Sequence, residues 1–133
     1  MDIPKRYLSF FILIIFVTTD LSHAKTVTII NVLDNTLHFH CKSKDYDLGD
    51  RSLQPGEMWS FYFEPGYNIF LENLYFCSFD LPNGRHWFDV YKGRRDGSLG
   101  PMVWKITPTG PCLYRESDGR AKEQLYCFPW NKN

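Results

Sequence analysis

The chain has 133 residues with 15 basic and 15 acidic side chains, so its formal net charge at pH 7 is zero. That balance argues against long-range steering to nucleic acid or anionic lipid, and the length suits one small domain. Aromatic residues make up 17% of the chain, and each brings a large buried area to a core that is thin at this size.

The first segment sets the chemical context. Lys5 and Arg6 precede an apolar run from Leu8 to Val17 broken only by Ser9, and Ser22 and Ala24 put small residues where a cleavage site needs them. This is the layout of a secretory signal peptide over residues 1–24. The apolar run is too short to span a bilayer, which takes about 20 residues. Removing those 24 residues leaves 109, residues 25–133, read as one domain. Two charges of each sign leave with the peptide (Lys5, Arg6, Asp2 and Asp20), so the mature chain stays neutral. It is expected to be extracellular, soluble and monomeric, with no stable membrane insertion after cleavage. No N-x-[ST] sequon occurs, so N-glycosylation is not expected.

Period-2 patterning dominates the mature chain. Lys25 to Leu33 is rich in β-branched residues. Thr36 to Ser43 alternates Leu37, Phe39 and Cys41 against His38, His40 and Lys42. Asp45 to Leu53 does not alternate and is compatible with one short helical turn. Met58 to Glu64 sets Trp59, Phe61 and Phe63 against Ser60, Tyr62 and Glu64. Asn68 to Leu81 reads as a long, bent strand with Tyr75, Cys77 and Phe79 on one face. His86 to Lys92, Met102 to Thr107, Leu113 to Glu116 and Gln124 to Phe128 complete the set. Turn residues separate these runs, among them Gln54-Pro55-Gly56, Pro65-Gly66, Pro82-Asn83-Gly84, Gly93 to Pro101 and Ser117-Asp118-Gly119. The pattern predicts an all-β fold, a small antiparallel β-sandwich of about seven strands. Its core is expected to hold Trp59, Phe61 and Phe63 against Phe39, Tyr75 and Phe79.

Cys41, Cys77, Cys112 and Cys127 all lie in the mature part. An even number in an oxidising compartment reads as two disulfides stapling the fold. Three pairings are possible. We favour the nested one, Cys41 with Cys127 and Cys77 with Cys112, because chain ends often lie close together. No CxxC occurs, so the spacing does not suit zinc.

Nothing in the chain reads as catalytic machinery. His38 and His40 share a face opposite the apolar residues, so they are read as two outer-face histidines. A metal pair or a two-histidine acid–base pair is the sharper alternative, but side-by-side imidazoles do not bracket a substrate. His86 stands apart from both. No G-x-S-x-G elbow and no glycine-rich phosphate loop is present. Asp45, Asp47 and Asp50 lack the full calcium-loop pattern. Aromatic and basic residues interleave at Trp87, Phe88, Tyr91, Lys92, Arg94 and Arg95, but aromatics at strand period are more often core than a stacking platform. No catalytic residue, cofactor, metal or nucleic-acid partner is expected.

Several uncommon strings occur in a recognisable order: TVTIINVL, HCKSKDYDLGDRSLQPGEMWSFYF, YFCSFDLPNGRHWFDVY, VWKITPTGPCLY and LYCFPW. On these the chain resembles the plant self-incompatibility protein S1 family, the S-protein homologues. The HCKSKD-x-DLG stretch followed by L-x-P-G-E is the most specific piece, and all four cysteines match the family's usual positions. The resemblance implies a small secreted plant protein with a disulfide-held β-sandwich and no typical enzymatic activity. In the founding members it implies a female-side ligand that acts through a pollen-surface receptor. Most members belong to sets for which cell–cell signalling is presumed. The missing sequon is a departure from some relatives.

The expected function is therefore that of an extracellular signalling ligand recognised by a cell-surface receptor through its loops. The alternative is a secreted enzyme or inhibitor using His38 and His40. Loops on rigid scaffolds commonly carry binding, and two stand out. Lys42 to Arg51 offers Lys44 and Asp45, and Gly93 to Gly100 offers Arg94, Arg95 and Asp96 with charges expected to be free for a partner.

Overall fold

Alternating apolar and polar residues can bury one face of a strand only if a second sheet covers that face. The computed structural model describes residues 24–64, 73–97, 100–116 and 123–132, and among them this is what the chain does. The strands are β1 (Lys25–Asn31), β2 (Leu37–Lys42), β3 (Asp47–Leu53), β4 (Met58–Phe63) and β5 (Leu74–Leu81), with β6 (Gly84–Lys92) next. A single helical turn, α1 (Gly93–Asp96), then leads to β7 (Met102–Thr107), β8 (Gly110–Glu116) and β9 (Glu123–Cys127). One sheet has the order β4-β1-β7-β8-β9 and the other β3-β2-β5-β6. Residues 1–23 of the signal-peptide segment, the turns at Pro65-Gly66 and Ser117-Asp118-Gly119, Asn68 to Glu72, and Ser98 and Leu99 of the Gly93 to Gly100 loop lie outside the described residues.

The expected sandwich is present, with three differences. Pairing is antiparallel except between β1 and β7, which run parallel at the centre of the five-stranded sheet. The described strands number nine instead of about seven. The clearest addition is β3, an edge strand whose DLGDRSL sequence carries almost no apolar alternation and is extended because it pairs with β2. A helical turn across Asp45 to Leu53 is therefore wrong: main-chain pairing with a neighbour outweighs weak local preference.

Val27, Ile29, Leu37, Phe39, Phe79, Val90, Trp104 and Ile106 form the centre of the core. Phe61 and Tyr75 are buried, and Trp59 and Phe63 pack against the same cluster, so the aromatic face is as expected. The Trp104 indole N–H donates to the Val90 carbonyl at 2.8 Å, which satisfies the polar atom of the largest buried side chain. Asn31 is fully buried and closes one end. Its Nδ2 donates to the carbonyls of Asn35 and Leu53, each at 2.9 Å, and its Oδ1 accepts from the Leu33 N–H at 2.8 Å. Beside it, Gln54 to Glu57 forms a turn closed by the Glu57 N–H to the Gln54 carbonyl. Gly56 there has φ of 84°, the left-handed value that the position after Pro55 demands in a type II turn.

The disulfides join Cys41 to Cys77 and Cys112 to Cys127. The nested pairing is overturned. Cys41 lies directly opposite Cys77 on β2 and β5, and Cys112 opposite Cys127 on β8 and β9. Their Cα atoms are 4.0 and 3.9 Å apart. The first bridge faces the core alongside Phe39 and Phe79. The second belongs to the other sheet, where Cys112 is the register partner of outward-facing Lys105. Bridges between the two pairs would need the cysteines of opposite sheets to face each other, which this register forbids.

After β9 the chain crosses to the second sheet. Phe128 packs on Trp104 and Phe88, Trp130 stacks on His86, and the Asn131 N–H donates to the Trp87 carbonyl at 2.8 Å. This tail covers part of the β6 edge, a protection that exposed strand edges commonly need.

Candidate recognition surface

Among the described residues the inner faces of the two sheets carry the apolar core, and the polar side chains of the four-stranded sheet lie on its outer face. Among the described residues no buried side-chain nitrogen or oxygen lacks a partner. Strand register builds the outer face of the four-stranded sheet in rows. Ser52, His38, Asp80 and Arg85 lie side by side across β3, β2, β5 and β6, and Asp50, His40, Ser78 and Trp87 form the next row. The side chains hold one another. His38 Nδ1 meets Ser52 Oγ at 2.7 Å, and Arg85 Nε donates to Asp80 Oδ1 at 2.7 Å. His40 contacts Asp47 through Nε2 and Asp50 through Nδ1, the latter at 3.1 Å. Apart from Trp87, the residues of these rows line an open groove of about 380 Å³.

Two charged groups on this face are shifted. The Asp47 carboxyl is held below its usual range, first by the Gly49 backbone N–H and then by the His40 side chain. Arg85 is pushed further up by its hydrogen bond to Asp80 and by that residue's charge. His38 and His40 do share the outer face, as expected, but each is committed to a neighbour on β3. The carboxylate beside His38, Asp80, is engaged by Arg85. The imidazoles line a shallow open face rather than a deep pocket. Among the described residues no group of three or more His, Cys, Asp or Glu is arranged to hold a metal ion.

The two candidate loops fare differently. Lys44 and Asp45 are exposed in the β2–β3 turn. That turn is closed by the Ser43 N–H to the Tyr46 carbonyl at 2.7 Å and by the Tyr46 N–H to Ser43 Oγ at 3.1 Å. Tyr46, 66% exposed beside them, is a residue that the sequence reasoning misses. Its signal is available: an aromatic ring in an otherwise polar turn has no core to enter.

In the second loop the charges of Arg95 and Asp96 are not free. Asp96 is 1% exposed. Its carboxylate accepts the Lys92 N–H at 2.8 Å and both Nε and Nη2 of Arg95 at 2.7 Å. Arg95 also donates to the Asp89 carbonyl, and its guanidinium lies 5.3 Å from the Phe88 and Trp104 ring centres and 5.6 Å from that of Phe128. These two residues form an internal clamp that seats α1 on β6. Arg94 alone of the three is exposed. The interleaved aromatics of β6 split in the same way. Phe88 and Tyr91 are buried and Trp87 faces outward, so they form no shared stacking platform.

Each sheet is stapled by a cross-strand disulfide, and the polar groups lie on an open face. That defines a disulfide-stapled β-sandwich with a polar, open outer face on its four-stranded sheet. Residues 26–130 match the plant self-incompatibility protein S1 family, and the chain belongs to that family. It is 46% identical to S-protein homolog 2 of Arabidopsis thaliana, with 100% of this chain and 99% of that protein covered. It is 41% identical to S-protein homolog 20 of the same species, over 71% of this chain and 66% of the other. Among solved structures it is similar to a self-incompatibility protein homologue described as one of a widespread family of small, highly stable, secreted proteins from plants. The TM-score is 0.53 at 17% identity, covering 82% of this chain and 96% of that one, a likeness of fold.

Proposed function

We propose that the protein is a secreted ligand that a cell-surface receptor recognises through the β2–β3 turn and the polar sheet face beside it. The observation that carries this reading is the pair of exposed charges, Lys44 and Asp45, on a turn pinned by its own hydrogen bonds. Such a turn loses little freedom on binding, and pre-organisation of that kind favours affinity. Secretion is supported by the basic, apolar and small-residue layout of residues 1–24, by two disulfides, and by the description of the similar solved structure as secreted. Arg94 is a further contact candidate. An enzymatic reading gains nothing from the geometry, because His38 and His40 are engaged with β3 on an open face.

The test is binding of the oxidised mature protein to plant plasma membranes. The double reversal Lys44→Glu with Asp45→Lys, shown by circular dichroism to stay folded, should weaken binding at least tenfold, about 1.4 kcal/mol. Binding equal to wild type would rule the turn out as the contact surface.

A further inference from the structure

The β2–β3 hairpin carries a bulge where its register shifts. His40 lies opposite Asp50, yet Lys42 lies opposite Asp47, so β3 spends one extra residue over the same span. Gly49 sits in that stretch with φ of 82°, a conformation that favours glycine. In a regular strand Asp47 and Asp50 would point to opposite faces. The bulge brings both to one side, against the two ring nitrogens of His40. A neutral imidazole has one N–H and one lone pair, and only the imidazolium can donate from both nitrogens. The groups facing His40 are Lys42 and His38 on β2, Asp47 and Asp50 on β3, Ser78 and Asp80 on β5, and Arg85 and Trp87 on β6. Asp80 and Arg85 are paired with each other. Arg51 lies over the Trp59 ring at 4.4 Å. The carboxylates that directly contact the imidazole are Asp47 and Asp50.

We propose that His40 is a pH-operated clamp on the β2–β3 turn: protonated, it ties Asp47 and Asp50 to β2 and holds residues 43–46 in their closed form, and deprotonated, it releases one side. The inference rests on the turn being the recognition surface, whose presentation the clamp would then regulate. Histidine as a class changes charge between pH 5 and 8. The charged ring donates to both carboxylates, whereas the neutral ring leaves one of them facing a lone pair. Deprotonation therefore loosens the turn that carries Lys44, Asp45 and Tyr46 while leaving the core untouched.

Amide hydrogen exchange at Ser43, Tyr46 and Gly49, corrected for intrinsic rates, tests this on the oxidised mature protein at about pH 5.5 and 7.5. Wild-type protection at these amides should fall at least about twofold across that interval, while the Cys77 and Phe79 amides stay constant. In Asp50→Asn the side-chain amide can donate to the neutral ring, so both nitrogens are satisfied without a second proton, and the fall should disappear. Equal wild-type protection at the two pH values, or the same fall in Asp50→Asn, would overturn the clamp. The readout is exchange and not receptor binding, so it stands or falls separately from the charge-reversal experiment on Lys44 and Asp45.

Discussion

Removing the Asp96 carboxylate should unseat α1 and weaken the whole sandwich. In Asp96→Ala the Lys92 N–H and two guanidinium donors lose their acceptor. Arg95 is left as a cation pressed against three aromatic rings. Taking one partner from a buried ion pair typically costs about 3–5 kcal/mol. The Arg95 side chain keeps 27% of its surface in water, so solvent offsets part of the loss and we place the cost near the lower figure, about 3 kcal/mol. Against a total stability of about 5–15 kcal/mol for a domain, that is a large fraction. With a urea slope of about 1.5–2 kcal/mol per molar, the unfolding midpoint should drop by about 1.5–2 M. The assay is equilibrium urea unfolding of the oxidised protein, monitored by tryptophan fluorescence, with Trp104 lying beside the clamp. An exposed charge in the β2–β3 turn provides the contrast: Lys44→Ala should change stability by no more than about 0.5 kcal/mol. A loss below about 1 kcal/mol for Asp96→Ala would refute the clamp and make Asp96 one more surface charge.

Phe61→Ala should cost about 3–5 kcal/mol, because its ring sits 5.1–6.2 Å from those of Trp59, Phe63 and Tyr75; a loss under about 1 kcal/mol in the same urea assay would show that β4 contributes little to the core. Asp47 gives an acid limb. Its folded pKa lies below the ordinary aspartate value of 3.8, so its contribution is present above that value and is lost as pH falls through the lower, folded one. The stability difference between wild type and Asp47→Asn, measured by urea unfolding from about pH 6 to pH 2, should therefore shrink below about pH 4, and a constant difference would contradict the assignment.

Much of this protein is written locally. Thr36 to Ser43 and Met58 to Glu64 each declare their buried face by alternation alone, and the structure buries Phe39 and Phe61 accordingly. Pro55-Gly56 and Pro82-Asn83-Gly84 mark turns, because proline and glycine restrict or release the backbone wherever they occur. The outer-face placement of His38 and His40 follows from the same period. The strings that resemble the S1 family are likewise legible before any fold is known. Other features belong to no single segment. DLGDRSL is a strand because β2 offers it a ladder, and the bulge that gathers Asp47 and Asp50 exists only in that pairing. GRRD reads as a solvated tip, yet the Phe88–Trp104–Phe128 wall turns Arg95 inward and takes Asp96 with it. The parallel contact of β1 with β7 and the pairing of each cysteine with its cross-strand neighbour depend on which distant strands become adjacent. Side-chain periodicity tells a strand which face to bury, but not which strand will lie beside it, and partner choice is set by the packing of the two sheets together.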